Sequence, residues 1–208
     1  MQSDKINEIF EYMTELFGKN PASELNYTHP HELLIAIILS AQCTDKRVNI
    51  VTGKLFKKYK TLNDFANANL AELEQDIYST GFYKNKAKNI KSMAQLVIQN
   101  HNGEIPNTLA DLEKLPGVGR KTASVFICEY LKQPAIPVDT HVQRVANRLG
   151  FSTSKNPRGI ERDLAKILDQ NNWARYHLQL VLFGRYHCKS QNPQCQTCEI
   201  KHHCNYNR

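Results

Sequence analysis

Four of the six cysteines lie within the last 21 residues of this 208-residue chain. Cys188, Cys195, Cys198 and Cys204 follow one another as Cys-x6-Cys-x2-Cys-x5-Cys. The first residues form no apolar stretch of the signal-peptide kind, and such crowding without an export signal favours a metal site over disulfides. Four thiolates suit a tetrahedral zinc ion or an iron–sulfur cluster, and the spacing alone does not decide between them.

A second candidate site is Leu-Pro-Gly-Val-Gly at 115–119, which predicts a tight turn between two helices. Gly117 and Gly119 permit positive φ and leave backbone N–H groups uncovered at the start of the next helix. Those amides and the helix dipole favour an anion, such as a nucleic-acid phosphate. A plain helix connection also uses glycine, but Arg120 and Lys121 add two cations that the dipole opposes, which favours an external anion.

Lys121 and Asp139 are the side chains that could take part in a reaction. A helix start disfavours the ammonium form of Lys121, and a neutral amine is a nucleophile; the alternative is a lysine that only contacts phosphate. Asp139 precedes Thr140 and His141 and is predicted to be the N-cap of a helix. Its ionised carboxylate could also stabilise positive charge that develops in a bound substrate.

Helices must position these residues, because the chain shows no sustained alternation of apolar and polar residues that would indicate strands. Residues 33–39 form an apolar run that is typical of a central helix buried on all sides. Ser3, Asp45 and Asp139 are candidate N-caps. We expect helices at about residues 3–17, 30–39, 45–59, 61–66, 70–78, 83–101, 108–113, 120–131, 139–149, 157–169 and 173–186.

The composition is that of an ordinary globular protein with an excess of positive charge. A hydrophobic fraction of 41% and a charged fraction of 23% exclude collagen-like, low-complexity and wholly disordered chains. The net charge of +7 suits a polyanionic partner, although a basic solvated surface is the plain alternative. The longest apolar run is too short to cross a membrane, so we expect a soluble, cytoplasmic protein. Cys43 and Cys128 are expected to be buried free thiols.

Two motifs together resemble a known family. Leu-Pro-Gly-Val-Gly-Arg-Lys-Thr-Ala at 115–123, followed by Val-Asp-Thr-His-Val at 138–142, resembles the helix-hairpin-helix DNA glycosylases with a Gly/Pro-rich loop and a catalytic Asp. Within them, Lys121 is similar to the nucleophile of the bifunctional endonuclease III branch, whereas the adenine glycosylases lack a lysine there. The resemblance extends from about Ser3 to the last cysteine. It implies that the four tail cysteines hold a structural [4Fe–4S] cluster.

The resemblance implies an all-α fold of two helical lobes, with duplex DNA in the cleft between them. A predicted linker at residues 133–138 separates a central helical block from a C-terminal one. The first helix could pack with either block, and we join it to the second. One lobe then comprises residues 22–132, with the helix-hairpin-helix motif, and the other comprises residues 1–21 and 133–208, with the cluster loop.

The resemblance also assigns contacts with DNA. Gln42 and Phe82 match residues that fill the gap left by an extruded nucleotide, although the family usually has Leu at the second position and core packing is the alternative for Phe82. The other predicted DNA contacts are Gly117, Val118, Gly119, Arg120, Thr140 and Arg144. A cluster of lysines could guide the DNA backbone or form an ordinary solvated helix face: Lys84, Lys86, Lys88 and Lys91.

The implied function is that of a bifunctional DNA glycosylase and abasic-site (AP) lyase of base excision repair, acting as a monomer on oxidised pyrimidines in duplex DNA. Lys121 attacks the sugar C1′ and displaces the base, while Asp139 activates the lysine or stabilises the cationic sugar. The Schiff base then permits β-elimination, and no dissociable catalytic metal is needed. The alternatives are a monofunctional glycosylase, a non-catalytic DNA-binding module and a redox-sensing iron–sulfur DNA binder.

Overall fold

The computed structural model describes residues 2–206, and every regular element in this range is helical, which confirms the all-α class. The α-helices are α1 Gln2–Phe17, α2 Pro30–Leu39, α3 Asp45–Lys58, α4 Leu62–Asn67, α5 Leu70–Asp76, α6 Tyr83–His101, α7 Leu109–Leu112, α8 Arg120–Glu129, α9 Thr140–Arg148, α10 Pro157–Ile167 and α11 Trp173–Leu182. Short 3-10 turns lie at Tyr78–Thr80, Gln170–Asn172 and Glu199–His203, and a π-helical turn lies at Phe183–His187.

The chain divides into two compact units. One unit comprises Met1–Ala22 with Lys132–Arg208, and the other, the central unit, comprises Ser23–Leu131. These boundaries lie one residue away from those expected from the sequence. The first helix therefore belongs with the C-terminal helices.

Among the described helices, none is long and apolar enough to cross a membrane.

The central unit is built around α2. Residues 32–39 are all buried, as the apolar run predicts, and α3, α6 and α8 pack against this helix. The start of α2 is fixed by a carboxylate: the amides of Thr28 and His29 donate to Glu32 Oε2 at 2.6 and 3.1 Å. Pro30 occupies the first turn, where its missing N–H costs no helical bond. The start of α2 is thus capped locally, and its apolar side chains supply the core of the unit.

In the other unit, α1 packs against α11 and the Glu199–His203 turn, and α9 packs against α10 and α11. Lys5 Nζ donates to Leu149 O at 2.8 Å, which ties α1 to the end of α9. The rings of Phe10 and Tyr176 lie 3.9 Å apart, joining α1 to α11. Burial of the apolar stripe along α1 explains why this helix packs here. Core side chains of the unit include Ile9, Phe10, Met13, Val142, Val145, Leu164, Leu180 and Phe183.

Some local predictions need correction. Ser3 lies inside α1 and does not cap it, because the helix already begins at Gln2. Thr44 rather than Asp45 caps α3, since its hydroxyl accepts from the Arg47 amide at 3.3 Å. The last long helix ends at Leu182, where the wider π-helical turn begins.

The two cysteines outside the tail differ from each other. Cys128 is buried in α8, as expected. Cys43 is only half-buried, because it lies in the turn between α2 and α3 and not inside a helix. The expectation of a buried thiol is therefore confirmed for Cys128 and wrong for Cys43.

Candidate functional site

The turn at 115–119 joins α7 to α8 within the central unit. Leu115 and Val118 are buried, and the Val118 amide donates to Leu115 O at 3.0 Å. Gly117 has a φ of +77°, and a Cβ at this position would lie 2.9 Å from Asn89 Cβ on α6. The positive φ and the close approach of α6 each require glycine at 117.

Gly119 is the N-cap of α8, and no side chain caps this helix. Its φ is −87° and no atom lies within 4 Å of a Cβ built there, so the fold itself places no demand for glycine at 119. The first helical hydrogen bond of α8 runs from the Ala123 amide to Gly119 O, at 2.9 Å. The amides before it point out of the helix start, where the dipole is positive, and this arrangement binds anions.

Two of the predicted DNA contacts in this turn already have partners inside the unit. The buried side chain of Val118 anchors the turn and its amide is bonded to Leu115, and its contact with DNA stays a prediction. Arg120 Nη1 lies 3.9 Å from Glu113 Oε2, a long contact between partly exposed groups. Such a pair is weak, and a phosphate would compete with Glu113 for the guanidinium.

Lys121 lies in the first turn of α8, and its side chain is exposed. Between residues 2 and 206 the structure shows no hydrogen bond or ion pair of its amine. The central unit therefore does not desolvate this lysine, but it leaves the amine open to an electrophilic carbon. The amine lies at the same helix start, where the helix dipole is positive.

Asp139 belongs to the other unit, where it begins α9. The predicted N-cap is confirmed: Asp139 Oδ1 accepts from the Val142 amide at 2.8 Å. Ile136 and Val138 are buried and fix the path of the chain into the helix. The carboxylate is half-buried, and in the described part of the chain Oδ2 has no hydrogen-bond partner. Capping thus orients the carboxylate of Asp139 and leaves one of its oxygens available to a substrate. The next residue in the chain, Thr140, is exposed.

Arg144 is partly buried and bonded within its own unit, and its contact with DNA stays a prediction. Its Nε donates to Cys188 O at 3.1 Å, and its Nη2 donates to Gly184 O at 2.6 Å. The same Nη2 lies 3.2 Å from His141 Nδ1. A Cβ at 184 would lie 2.8 Å from His141 Cβ, so glycine permits this approach. Arg144 and His141 therefore hold the start of the cysteine tail against α9.

The cysteine tail is attached to the same helix through Arg148. Its Nη1 donates to Cys188 Sγ at 3.2 Å and to Lys189 O at 2.8 Å. The Tyr206 amide approaches Cys204 Sγ at 3.4 Å. N–H groups directed at sulfur stabilise thiolate charge, as in the outer shell of metal sites. All four tail cysteines line one cavity, so this region is compatible with an iron–sulfur cluster.

Burial and the neighbouring cysteine sulfurs raise the pKa of the Cys198 thiol to about 11, although a hydrogen bond from the Ile200 backbone acts in the opposite direction. The protein alone therefore does not stabilise thiolates at this position. A cationic group among the sulfurs reverses this preference, because a metal deprotonates the thiol that binds it.

Gln42 and Phe82 lie in two turns with the same uncommon backbone conformation. Their φ values are +55° and +49°, in a left-handed region that costs about 1–2 kcal/mol for residues other than glycine. Both are exposed, and Phe82 retains 63% of its accessible surface. This exposure excludes core packing as the role of Phe82. Exposed residues held in such a conformation are typical of binding sites.

The lysines of α6 fall into two kinds. Lys84 and Lys88 are exposed and remain candidates for guiding a DNA backbone. Lys86 is buried and donates to three backbone carbonyls. Lys91 donates to Ala68 O at 2.6 Å. The predicted role at the DNA backbone is therefore wrong for Lys86 and finds no support for Lys91.

Lys86 is a residue whose place in the structure was not predicted. A signal for its burial exists in the sequence, because Lys86, Ile90, Met93 and Val97 follow one another at helical spacing and all are buried. A lysine on an apolar helical stripe indicates a buried ammonium group that needs acceptors. Its acceptors come from elsewhere in the chain, so the sequence pattern does not identify them.

Comparisons with known proteins give a consistent result. Residues 35–170 match the model of the HhH-GPD superfamily base excision DNA repair protein. Endonuclease III of Bacillus subtilis (strain 168) is 44% identical over 202 residues, which cover 97% of this chain and 89% of the relative. Endonuclease III of Escherichia coli (strain K12) is 40% identical over 198 residues, or 94% of each chain.

Two solved structures of Endonuclease III with DNA match with a TM-score of 0.93 and 46% identity, covering 98% of this chain and 95% of theirs. One is a trapped covalent intermediate described as an estranged-adenine complex, and the other is a non-covalent complex. Identity at this level over nearly the whole length, together with the matching family model, establishes that the chain belongs to the endonuclease III family of the HhH-GPD superfamily of base excision DNA repair proteins.

Proposed function

We propose that this chain is a DNA glycosylase and AP lyase that removes oxidised pyrimidines from duplex DNA in base excision repair. The observation that carries the proposal is Lys121, an exposed amine without a partner among the described residues, in the first turn of an uncapped helix. The relative trapped in a covalent intermediate with DNA supports it, because a covalent protein–DNA link needs a protein nucleophile. A monofunctional glycosylase has no need of an amine at this position.

Binding begins with the DNA backbone. The helix start at Gly119 offers amides and a positive dipole end to a phosphate, which positions the duplex without reading its sequence. The net charge of +7 favours association with a polyanion. Lys84 and Lys88, exposed on α6, add positive charge to the same unit.

The target nucleotide must then leave the base stack, because the sugar carbon of a stacked, paired nucleotide is not accessible to an amine. Gln42 and Phe82 are exposed on turns of the central unit. An amide side chain can bond the orphaned base, and an aromatic ring can stack in the gap. These two side chains would therefore stabilise the duplex while the nucleotide is extruded.

The reaction replaces one bond at the sugar with another. The neutral amine of Lys121 attacks C1′, the bond from C1′ to the base breaks, and the base leaves with a proton. The bond from C1′ to the ring oxygen then breaks and this oxygen takes up a proton from solvent. The nitrogen keeps its hydrogen, which gives a protonated Schiff base between Lys121 and C1′. Loss of a proton from C2′ then breaks the bond from C3′ to its phosphate oxygen, so the strand is cut on the 3′ side. Hydrolysis of the Schiff base frees the lysine.

Asp139 would act on the charges that develop in this sequence. Its Oδ1 is used in the helix cap, and the other carboxylate oxygen can accept the proton from Lys121 or stabilise the cationic sugar. The cap keeps the carboxylate in one orientation, so little reorganisation is needed when the charge forms. We assign the chemistry to Lys121 and Asp139 acting on one nucleotide in the DNA-bound enzyme.

We propose that Cys188, Cys195, Cys198 and Cys204 hold a [4Fe–4S] cluster. In the described part of the chain, no three cysteine sulfurs lie within 4.8 Å of one another. A single zinc ion with bonds of about 2.3 Å would bring its sulfurs to roughly 3.8 Å, so the spacing supports a larger group. When bound, the cluster supplies a rigid crosslink. Arg144 and Arg148 would transmit this rigidity to α9, the helix that Asp139 caps.

The function is tested by measuring base release and strand cleavage separately, in single turnover, on a duplex that carries one thymine glycol. We expect the protein to release the base and cut the strand, and Lys121→Ala to lose both by on the order of 10³-fold or more. An undamaged duplex is the control. Base release without cleavage would support a monofunctional glycosylase instead, and binding without base release would support a non-catalytic module.

A further inference from the structure

Lys86 is a buried lysine in the first turn of α6, with 5% of its surface exposed. Its Nζ donates to Leu39 O at 2.8 Å, to Ala41 O at 2.8 Å and to Thr80 O at 2.9 Å. An ammonium group has three donors and no acceptor, so all its hydrogen bonds are made. Among the described residues no carboxylate pairs with it. Backbone carbonyls therefore compensate the buried charge.

The three carbonyls belong to the two turns that carry Gln42 and Phe82. Leu39 is the last residue of α2, and Ala41 directly precedes Gln42. Thr80 ends the short turn before Gly81 and Phe82. One ammonium group thus bonds both turns at a single point.

Other hydrogen bonds in this region are local to one turn. The Cys43 amide donates to Ser40 O at 3.1 Å, and Thr80 Oγ1 donates to Ile77 O at 2.8 Å. Among the hydrogen bonds between described residues, only those of Lys86 join the first turn to the second. Both turns place a residue other than glycine at positive φ, so each needs neighbours that hold it in place.

We propose that Lys86 is a positioning residue that holds Gln42 and Phe82 in one fixed arrangement for insertion into DNA. The proposal rests on the proposed function, because the arrangement matters only if both side chains fill the gap beside an extruded nucleotide. Turns that are ordered before DNA binds lose less conformational entropy on binding. Two side chains on separate segments also need a common support to keep their spacing.

The first test measures the turns themselves, by amide hydrogen exchange in the protein with its cysteine tail intact. Lys86→Met should raise exchange at residues 40–43 and 80–83 by about tenfold or more. Lys91→Met is the matched control, since Lys91 lies on the same helix and donates to Ala68 O between α4 and α5. It should leave exchange in both turns unchanged. Lys86→Gln, which keeps two donors, replaces Lys86→Met if that variant does not fold.

The second test asks whether Lys86 acts through Gln42 and Phe82. Base release from a thymine glycol duplex should fall about tenfold in Lys86→Met. Strand cleavage at a preformed abasic site should fall less, because no base has to leave the stack there. In a Gln42→Ala/Phe82→Ala background, Lys86→Met should have almost no further effect, since residues that act as a unit are not additive.

Three results would overturn the proposal: unchanged exchange in both turns, equal losses on both duplexes, or losses that multiply in the Gln42→Ala/Phe82→Ala background. Full base release by the Gln42→Ala/Phe82→Ala protein would have a different meaning. It would refute the gap-filling roles that the proposed function gives to Gln42 and Phe82, and with them the positioning role of Lys86. The exchange experiment separates these cases, because it reports on the turns without DNA.

Discussion

At the scale of single residues, Asp139 combines a structural and a chemical role in one carboxylate. Oδ1 accepts the Val142 amide at 2.8 Å and caps α9. None of the described residues forms a hydrogen bond with the other carboxylate oxygen, so this oxygen is available for the reaction. Because Asn is about as good an N-cap as Asp but carries no charge, the two roles can be separated by substitution.

Asp139→Asn should keep the free energy of unfolding within a few tenths of a kcal/mol and lose most base release, whereas Asp139→Ala should also lose about 1 kcal/mol of stability. Urea unfolding and single-turnover base release measure the two effects. Asn156→Ala is the matched control, because Asn156 Oδ1 caps α10 by accepting from the Gly159 amide at 2.8 Å. It should lose similar stability and keep full activity. Normal base release by Asp139→Asn would remove Asp139 from the chemistry.

At the scale of elements, the α7–α8 hairpin contains two glycines with different tasks. Gly117 is required by its φ of +77° and by the close approach of Asn89. Gly119 has an ordinary φ and open space around its Cα, and under the proposed function glycine leaves room there for a phosphate. We therefore expect the fold and the binding of DNA to depend on different residues of this turn.

Gly117→Ala should lower the free energy of unfolding by about 2 kcal/mol, since alanine is strained at positive φ and its Cβ meets Asn89. Gly119→Ala should lower the free energy of unfolding by less than about 1 kcal/mol, because alanine is a poorer N-cap than glycine but restricts the unfolded chain. It should weaken binding to a duplex with an abasic-site analogue about tenfold, because the new methyl group crowds the phosphate. Urea unfolding and fluorescence anisotropy test both changes. Full DNA affinity in Gly119→Ala would contradict an anion site at this helix start.

The features of the elements that could be predicted from the sequence are those set by local signals. The bounds of α6, Tyr83–His101, match the expected 83–101 because the Asn102-Gly103 stop signal is local. The cap at Asp139 is local as well. The hydrogen bonds of Lys86 and Arg144 could not be predicted, because their acceptors Leu39 and Cys188 lie 47 and 44 residues away. A charged side chain looks the same in sequence whether it faces solvent or backbone carbonyls.

At the scale of the whole molecule, each unit contributes a separate part of the proposed chemistry. The central unit holds the hairpin, Lys121 and the two turns that carry Gln42 and Phe82, and the other unit holds Asp139 and the cysteine tail. The tail is bonded to α9 by Arg144 and Arg148, so a group held by the cysteines would support the helix of Asp139. Metal binding and activity should therefore be linked through α9.

The purified protein should contain about four iron atoms and four acid-labile sulfides per chain, and Cys195→Ser should lose most of both. Metal analysis and visible absorption measure the content. Cys128→Ser is the control, since Cys128 is buried in α8 of the central unit, outside the cysteine tail. It should retain the full complement. Stoichiometric zinc without iron would contradict the proposed cluster.

We expect the amine of Lys121 to form a covalent bond with the sugar of a damaged nucleotide. The most direct measurement is borohydride trapping on a duplex with one thymine glycol, beside abasic and undamaged duplexes, followed by peptide mapping of the adduct. We predict an adduct at Lys121 on the thymine glycol and abasic duplexes, none on undamaged DNA, and none with Lys121→Ala. An adduct at another residue would contradict the assignment of Lys121 as the nucleophile. The absence of an adduct on both damaged duplexes, with protein that has its full iron content, would contradict it as well.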